Sequence, residues 1–330
     1  MDANGFDELD RQLAHALQVD GRVPFSLVGS VLGVSDKTVA RHYARLRAAR
    51  AVRVVADCSI YTTGRTAWAL RIRCTPGLAE SIAEALARRP DTGYIALTSG
   101  GADVVGVVQN FDEAETTALL GALRKTSGVQ AVTGHRLLHG FASELHTFMP
   151  KHGPLTADQI RALRPDDVVP PPGVTLSNEG IAAVTLTAQD QRLLAALSLD
   201  GRRDFEALAT ELGWSASTVR RRVNQLRTAR ILRFGLELDW RMFGLNTRAA
   251  LWLSVPPAEL AATGRALSEH PQISGVSATT GPANLFGAVL VADDQALYGY
   301  LTGPLAALPG ISQIESAPIV RIVKMSPNTL

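Results

Sequence analysis

Two stretches of the chain show the apolar spacing of a three-helix unit. In the first, Leu9, Leu13 and Leu17 share one face of a predicted helix. This helix ends at Gly21, because glycine takes the left-handed cap conformation at little cost. A short apolar helix follows, and Gly33 makes a tight turn before a third helix. The second stretch repeats this pattern about 180 residues later.

The third helix of each unit has one apolar face and one polar face. In the first copy the helix buries Val39, Tyr43 and Leu46, which recur at helical spacing. The 100° step per residue then turns short hydroxyl groups, amides and basic side chains outward. The residues predicted to cap or project from these helices toward a partner are Ser35, Lys37, Thr38, Arg41 and Arg45, and Ser215, Ser217, Thr218, Arg221, Arg222 and Gln225.

The two stretches are copies of one another. The segment that begins at Phe6 aligns without a gap with the segment that begins at Leu186, and about a third of the positions are identical. The triplet Asp20-Gly21-Arg22 returns as Asp200-Gly201-Arg202. The period is far longer than that of a solenoid repeat, so it indicates a tandem duplication.

A second unit follows each three-helix unit. After residue 64 the pattern predicts the strand TAWALRIRC, a helix, the strands TGYIALTS and DVVGVVQN, another helix and the strand VQAVTGHRLL. That order, βαββαβ, is typical of a ferredoxin-like sandwich, and the second copy repeats it from RAALWLSV onward. Such a sheet has helices on one face only, so we expect its open face to be buried against the other copy.

The predicted fold class is therefore α+β: two copies of a winged helix-turn-helix domain, each followed by a ferredoxin-like sandwich. The strands around residues 52–56 and 232–238 are interpreted as a wing or a connector. A proline-rich stretch joins the copies, with one short helix predicted at Thr156 to Leu163. The predicted domains cover residues 1–64, 65–143, 144–185 (the linker), 186–245 and 246–330.

Composition excludes several classes of protein. The chain has 330 residues, 46% hydrophobic and 19% charged, which is typical of a folded globular protein. No apolar stretch approaches the roughly 18–20 residues of a membrane helix, and the first ten residues lack a basic signal segment, so we expect a cytoplasmic protein without a membrane partner. Cys58 and Cys74 form no CxxC pair, so a disulfide scaffold and a cysteine zinc site are not expected.

The formal net charge of +2 conceals two basic helices. In the first copy, the third helix and the residues after it carry six basic side chains and one acid, Asp36. In the second copy, the same region carries six arginines and no acid. A helix-turn-helix places such a helix in the major groove, where arginine reaches guanine or phosphate, so double-stranded DNA is the predicted partner. Alternatively, the arginines form a solvated face, or the helix-turn-helix serves only in assembly; their recurrence in the same frame favours DNA.

The motifs FDELD, DGR and LGVSDKTVAR, followed by a βαββαβ unit with a GxxD turn, resemble the leucine-responsive/asparagine-regulator (Lrp/AsnC) family of bacterial transcription factors. The resemblance covers nearly the whole chain, twice, apart from the linker. It implies that the sandwiches pair back to back, that chains assemble into homo-oligomers, and that a small effector, usually an amino acid, binds at the turn. The implied effector-binding residues are Thr98, Gly100, Asp103, Thr279, Gly281 and Asn284.

The chain departs from the family pattern at three places. Arg50 and Arg230 stand where a glycine usually follows the recognition helix, and Asn284 replaces the turn aspartate in the second copy. The second effector site is therefore altered or lost. Gly100 to Asp103 also fits the simpler interpretation of a hairpin turn.

Other candidate chemistry is sparse. His135, His139, His146 and His152 lie close together in sequence, but exposed or hydrogen-bonded histidines are favoured over metal ligands. No dinucleotide fingerprint, phosphate loop, nucleophile elbow or paired-carboxylate motif is present. The sequence therefore predicts no metal, no cofactor and no enzymatic activity.

An enzyme remains the alternative hypothesis. Some tandem proteins resembling this family are sirohaem decarboxylases, which pair two such modules around a tetrapyrrole. They tend to lack the DGR triplet and present a histidine near the turn, where this chain has GGAD and GPAN. The favoured hypothesis is a transcriptional regulator that folds as a covalent pseudo-dimer. Its two recognition helices differ, so we expect an asymmetric operator.

Overall fold

The computed structural model describes residues 5–58, 66–110, 113–142, 148–164, 186–229 and 231–325. The proline run at 170–172, His146 and Arg230, which the sequence analysis singled out, lie outside these residues. The order of elements confirms the α+β class and the tandem duplication.

The first half contains three helices, a connecting strand and a βαββαβ unit. Its elements are α1 (Glu8–Val19), α2 (Phe25–Leu32), α3 (Asp36–Ala48), β1 (Val52–Cys58), β2 (Thr66–Cys74), α4 (Ala79–Ala87), β3 (Thr92–Thr98), β4 (Asp103–Asn110), α5 (Glu113–Lys125) and β5 (Val129–Ala142).

Two short helices and a second set of the same elements follow. They are α6 (Met149–His152), α7 (Ala157–Leu163), α8 (Ala188–Leu199), α9 (Phe205–Leu212), α10 (Ala216–Thr228), β6 (Leu232–Leu238), β7 (Thr247–Ser254), α11 (Leu260–Glu269), β8 (Ile273–Thr279), β9 (Leu285–Val291), α12 (Asp294–Thr302) and β10 (Gln313–Lys324).

The predicted helix starts and the turn at Gly33 are confirmed. The Ser35 hydroxyl accepts a hydrogen bond from the Thr38 amide at 3.1 Å and begins α3. Gly33 ends α2 with a φ of 70°, in the left-handed region that glycine enters without strain. The threonine-capped helix in the linker is also present, with Thr156 and Gln159 forming a reciprocal capping box.

The left-handed cap predicted at Gly21 is wrong. Helix α1 ends at Val19 with Asp20 as its C-cap, whose φ of −145° is extended, and Gly21 has no positive φ. Glycine is needed at position 21 for space, because Val54 and Phe234 leave no room for a Cβ.

Strands β1 and β6 connect the two helix-turn-helix domains. They pair antiparallel over seven positions, from Val52 opposite Leu238 to Cys58 opposite Leu232. Each strand satisfies the backbone of the other copy, so these strands are the connector and not two separate wings. The pairing places the two three-helix units back to back around one shared apolar core.

Arg22, from the DGR triplet, crosses between the copies. Its Nη1 donates to the Gly201 carbonyl at 2.7 Å and its Nη2 to the Arg203 carbonyl at 3.0 Å. Its guanidinium group also lies 4.1 Å from the centroid of the Phe205 ring. Burial, followed by the charges of Arg202 and Arg227, lowers the pKa of Arg22 to about 10, so it stays protonated at neutral pH.

Arg202 makes the reciprocal contacts. Its Nη1 donates to the carbonyls of Gly21 at 2.8 Å and Val23 at 3.0 Å, and its guanidinium group lies 4.3 Å from the Phe25 ring centroid. We call this pair, Arg22 and Arg202 with the carbonyls they bind, the arginine lock. Hydrogen bonds from a charged donor are each worth about 1.5–3 kcal/mol, so the lock contributes substantially to pairing.

The other two residues of the triplet also lie at this interface. Asp20 accepts from Arg227 at 2.9 Å, and Asp200 accepts from Arg47 at 2.6 Å. A Cβ added to Gly21 would lie 2.6 Å from Cγ1 of Val54, so only glycine fits there. The triplet therefore holds the two copies together.

The two sandwich domains close into one barrel. Its strand order is β10-β3-β4-β2-β5-β8-β9-β7, and each copy keeps the ferredoxin-like order within it. Strand β5 (14 residues) pairs with β2 and then with β8, and β10 (12 residues) pairs with β7 and then with β3. Each copy thus lends its last strand to the other sheet, and the expectation of buried open faces is confirmed.

A buried apolar cluster lies between the two sheets. It contains Ala96 and Val105 from the first copy and Ala250, Trp252 and Ala317 from the second. The helices cover the outer faces of both sheets through two separate clusters. Among the residues described, no helix combines the length and the apolar character needed to span a membrane.

Residues 148–164, inside the predicted linker, pack against the first helix-turn-helix domain. Phe148, Met149 and Leu163 are almost fully buried in its core. The Leu155 amide donates to Nδ1 of His15 at 3.0 Å. Burial lowers the pKa of His15 to about 4, so the ring is neutral and able to accept this bond at neutral pH.

The same segment reaches the second sandwich domain. Nζ of Lys151 donates to the carbonyls of His270 at 3.0 Å and Ile273 at 2.9 Å. Nε2 of His152 donates to the Pro271 carbonyl at 2.8 Å. The segment therefore links the first helix-turn-helix domain to the sandwich domain of the other copy.

The arginine lock leads to a stability prediction. Replacing Arg22 or Arg202 by alanine leaves two carbonyl groups without their charged donor, and we expect each change to destabilise the β1–β6 pairing by about 2–3 kcal/mol. Hydrogen–deuterium exchange of peptides from β1 and β6 measures this loss. Arg161→Ala is the matched control, because among the described residues the Arg161 side chain pairs only with the exposed Asp158. Unchanged protection in both lock variants would contradict the assigned role.

Candidate nucleic-acid interface

The first recognition helix, α3, presents few free polar groups. Lys37 and Arg41 are exposed on its outer face, as predicted. Ser35 is exposed but caps the helix, and its Oγ lies 2.9 Å from Oγ1 of Thr38. Thr38 is half-buried against this cap.

The second recognition helix, α10, repeats the cap and adds to it. Oγ of Ser215 lies 2.9 Å from Oγ of Ser217 and 2.8 Å from Oγ1 of Thr218, so three hydroxyl groups cluster at the beginning of the helix. Arg221 and Gln225 are exposed further along the helix. Backbone amides and hydroxyl groups at a helix N-terminus are suited to a phosphate oxygen.

Two predicted DNA-contacting arginines bind buried aspartates instead of pointing freely outward. Nη2 of Arg45 lies 2.5 Å from Oδ2 of Asp10, whose side chain is fully buried. In the second copy Nε and Nη2 of Arg222 contact the two Asp190 oxygens at 2.6 and 2.7 Å. These pairs attach each recognition helix to the first helix of its own domain, α1 or α8.

The buried carboxylates remain charged. Burial raises the pKa of Asp190, but hydrogen bonds from Arg222 and Thr187 outweigh it and hold the pKa below its usual value. For Asp10, burial likewise opposes hydrogen bonds from the Asp7 backbone, His42 and Arg45, and the net pKa is lowered. Both ion pairs are thus present at neutral pH.

Much of the remaining basic charge holds the two copies together. Arg47 and Arg227 bind across the interface as described, and Arg53 contacts Glu237 at 2.7 Å while Arg233 contacts Asp57 at 3.6 Å. The basic residues of this region without an acidic partner among the described residues are Lys37, Arg41, Arg50, Arg220 and Arg221. The surface for DNA is therefore narrower than the count of arginines suggested.

Arg50 adopts a strained backbone conformation. Its φ of 56° lies in the left-handed region, which costs a residue with a Cβ about 1–2 kcal/mol. A glycine at this position would avoid the cost, which accounts for the family preference noted above. Arg50 is exposed and extends the basic surface at the end of α3.

Two exposed residues of α10, Asn224 and Thr228, were missed by the sequence analysis, and Arg220 was counted in the basic helix but not among the predicted DNA contacts. Arg220, Asn224 and Thr228 are exposed, and together with Ser217 and Arg221 they line one shallow concave surface. The spacing 217, 221, 224 and 228 is that of one helical stripe, so the same 100° step could have included Asn224 and Thr228.

The first candidate effector turn is occupied by groups of the chain itself. Gly100 has a φ of 70° inside a 3-10 turn, and Thr98 is buried beneath it. Asp103 is 5% exposed and lies 3.4 Å from Nη2 of Arg71. Arg71 also contacts Glu315 at 2.6 Å and lies 4.5 Å from the Trp252 ring centroid. The aspartate expected to meet an ammonium group already has a cationic partner.

The second candidate turn has different partners. Asn284 accepts from the Val255 amide at 2.9 Å and donates to the Val255 carbonyl at 2.7 Å. Oγ1 of Thr279 donates to the Ala283 carbonyl at 3.0 Å. Gly281 has a φ of 103°, and a Cβ there would overlap the ring of His135. The amide of Asn284 thus fixes the turn to the backbone of Val255, directly after strand β7.

One group of side chains has metal-ligand spacing among the described residues. Asp7, Asp10 and His42 bring one ligand atom each within 4.8 Å of one another. Nδ1 of His42 is hydrogen-bonded to Asp10 at 2.9 Å, and the Arg45 guanidinium group occupies the same space. A bound cation would be repelled by that charge, so the cluster is best explained as an anchor for α3.

Comparison with known families gives two matches. The model of the AsnC-type helix-turn-helix domain matches residues 6–47 and again residues 186–227. The model of the Lrp/AsnC ligand binding domain matches residues 248–329. Together these matches span about half of the chain.

Each of the curated relatives below is matched over most of its own length by less than half of this chain. An uncharacterized HTH-type transcriptional regulator of Pyrococcus horikoshii is 26% identical over 142 residues, which are 43% of this chain and 90% of the relative. The Bkd operon transcriptional regulator of Pseudomonas aeruginosa is 28% identical over 142 residues, or 41% of this chain and 92% of the relative.

A solved structure matches the tandem arrangement as a whole. The siroheme decarboxylase NirDL, in complex with an iron-uroporphyrin III analogue, superposes with a TM-score of 0.60 over 92% of this chain and 88% of its own. Sequence identity is 13%, so this likeness concerns the fold alone.

The ion pairs beneath the recognition helices lead to a second stability prediction. We expect Arg222→Ala to lower the free energy of unfolding by about 2–3 kcal/mol, because it leaves the buried Asp190 carboxylate unpaired, while the quarter exposure of Arg222 moderates the cost. Urea denaturation measures the loss. The exposed neighbour Arg221 is the matched control, and Arg221→Ala should change stability by less than about 0.5 kcal/mol. Equal losses in both variants would contradict the assignment.

The same pair predicts a pH dependence. The folded-state pKa of Asp190 is lowered, so its contribution is present above the unfolded-state value of about 3.9 and is lost as the pH falls through the folded-state value. The stability difference between the wild type and Asp190→Asn should therefore stay constant above about pH 5 and shrink below about pH 4. A difference that grows on acidification would contradict it.

Proposed function

The chain belongs to the Lrp/AsnC family of transcriptional regulators, and we propose that it binds DNA in a sequence-specific manner, with one chain acting as a pseudo-dimer. The observation that carries this proposal is the reciprocal pairing of two AsnC-type helix-turn-helix domains through the arginine lock and the β1–β6 connector. A family dimer would need two chains to obtain such a pair, whereas this chain has both domains.

The proposed contacts follow from exposure and chemistry. Lys37, Arg41 and Arg221 are exposed and lack acidic partners among the described residues, so each can reach a phosphate or the O6 and N7 acceptors of guanine. Ser35 and Ser215 at the helix starts would lie beside the phosphate backbone. Arg45 and Arg222 would support DNA binding by fixing the orientation of their helices.

Rigid pairing has a consequence for the operator. Two recognition helices related by an approximate twofold axis contact half-sites one helical turn apart, about 34 Å, or a multiple of it. The helices differ in sequence: Lys37 and Arg45 correspond to Ser217 and Gln225. We therefore expect an asymmetric operator with two different half-sites.

The sandwich barrel is proposed to bind a small effector, with an amino acid as the first candidate class. At the first turn an incoming ammonium group would replace Arg71 as the partner of Asp103. At the second turn the side chain of Asn284 is hydrogen-bonded to the backbone of Val255, so we expect the two turns to differ in their affinity for the effector. We also propose that several chains associate through their outer surfaces and that the protein acts in the cytoplasm.

DNA binding has a direct mutational test. We expect Arg41→Ala and Arg221→Ala each to weaken binding to a selected operator by about 1–3 kcal/mol, because each removes a charged contact to base or phosphate. Gel-shift titration at fixed salt measures the change. Arg161→Ala removes the same charge from the linker helix and should leave the affinity unchanged.

The proposal would be contradicted if the wild type bound duplex DNA no more tightly than a variant in which both Arg41 and Arg221 are replaced by alanine. In that case the helix-turn-helix domains would serve assembly alone.

A second function is favoured by one observation. The tandem fold superposes on a siroheme decarboxylase over most of its length, and the ring of His135 lies against Gly281 in the second turn. A chain of this function would take sirohaem as its substrate. Against it stand the turn positions, which are filled by Arg71 and by the Val255 backbone.

Ligand binding separates the two functions. We expect at least one of the twenty amino acids to raise the melting temperature in a thermal-shift screen, because a ligand of the folded state stabilises it by mass action. Added sirohaem should leave its Soret band unchanged. A shifted Soret band that His135→Ala abolishes, with no response to amino acids, would favour the enzyme.

A further inference from the structure

The outer faces of the two recognition helices differ systematically. Where the copies are aligned, α3 carries an alanine at each of three positions at which α10 carries a polar residue. The corresponding pairs are Ala40 and Arg220, Ala44 and Asn224, and Ala48 and Thr228. Two of the pairs are exposed on both helices, and Arg220 is exposed where Ala40 is half-buried.

The polar residues of α10 form one continuous surface. Arg220, Arg221, Asn224 and Gln225 line the same shallow concave surface, which runs from Ser217 at the beginning of the helix to Ala229 after its end. Arg222 lies beside this surface and is bound to Asp190 through Nε and Nη2, while its Nη1 donates to Oε1 of Gln225 at 3.3 Å. The surface therefore offers two guanidinium groups and the Asn224 amide side by side, with the Gln225 amide oriented by Arg222 next to them.

The corresponding surface of α3 is much poorer in hydrogen-bonding groups. Ala44 and Ala48 offer only methyl groups, and Arg45 is bound to Asp10 at 2.5 Å. Lys37 and Arg41 remain as exposed cations. Arg41 can reach phosphate or guanine as Arg221 can, but Ala40 and Ala44 stand where α10 has Arg220 and Asn224, so α3 has fewer groups that distinguish one base pair from another.

The chemistry of the groups determines what each helix can recognise. Arginine binds guanine O6 and N7 with two hydrogen bonds, and asparagine or glutamine binds adenine N6 and N7 in the same way. An alanine methyl group contacts only the thymine methyl group. A lysine contacting phosphate adds affinity at every sequence.

We propose that the two recognition helices divide the work of DNA binding. Helix α10 supplies most of the sequence specificity through Arg220 and Asn224 beside Arg221 and Gln225, and helix α3 contributes mainly affinity through Lys37 and Arg41. Asn224 and Arg220 are thus further specificity-determining residues. This inference rests on the proposed DNA binding, and it predicts one strongly constrained half-site and one permissive half-site.

The single-chain architecture is what permits this division. In a dimer of identical chains, every substitution in the recognition helix appears in both half-sites. Here the arginine lock holds two helices of independent sequence in one rigid pair, so one can lose base-specific groups while the other keeps them.

Binding-site selection followed by single-base substitution of the selected operator tests the division. We expect substitutions at several base pairs of one half-site to weaken binding at least about fivefold each, and those in the other half-site by less than about twofold, except at the one base pair that Arg41 can reach. Asn224→Ala should abolish the preference at one position of the constrained half-site, which identifies that half-site as the one bound by α10.

Ala44→Asn is the matched variant on the other helix. Because residue 44 is exposed, the substitution should leave the fold intact and introduce a new base preference in the permissive half-site. Lys37→Ala should weaken binding to all selected sequences by a similar factor and reduce the salt dependence of the affinity.

The outcomes separate the inference from the function on which it rests. The division of work would be overturned, with DNA binding left intact, if both half-sites were equally constrained or if Asn224→Ala kept every base preference of the wild type. Absence of binding to any duplex would overturn the proposed function itself.

Discussion

Arg22 and Arg202 each extend a guanidinium group from one helix-turn-helix domain to the backbone carbonyls of the other, and the arrangement of the whole chain depends on this exchange. The two charges are removed from much of the solvent, so they are stable only with their acceptors and the facing rings of Phe205 and Phe25 in place. Gly21 and Asp20 serve the same interface through close packing and through Arg227. The DGR triplet is thus explained by pairing of the domains, and its recurrence in both copies follows from the approximate twofold symmetry.

The sandwich domains carry the pairing further. Strands β5 and β10 each extend into the sheet of the other copy, so neither sheet is complete alone and the barrel leaves no open edge. Residues 148–164 add a further connection, from the core around His15 to the carbonyls of His270 and Ile273. This segment therefore links the second sandwich directly to the first two helices of the first helix-turn-helix domain. Covalent linkage lets the copies diverge, as at the Asp103 and Asn284 turns.

Local features of the fold were predictable from sequence, and long-range ones were not. Helix bounds, the caps at Ser35 and Thr156 and the βαββαβ order follow from spacing within about ten residues. The pairing of β1 with β6 and the exchange of β5 and β10 join residues more than a hundred positions apart, which no local pattern specifies. The role of Arg45 was missed because its partner Asp10 lies 35 positions away, beyond the reach of a local pattern. Asp10 and Asp190, acids among buried positions in both copies, were the available signal that a cation would be bound there.

Rigid pairing of two recognition helices in one chain is the central claim, and the helical phase of the operator tests it most directly. The measurement is the affinity of the wild-type chain for a selected operator with 5 base pairs inserted between its half-sites, compared with the same operator without the insertion. An insertion of about half a turn rotates one half-site to the opposite face of the duplex, so the account predicts that binding falls to the level of a single half-site. Unchanged affinity for the operator with 5 inserted base pairs would show that the domains move independently and would contradict the account.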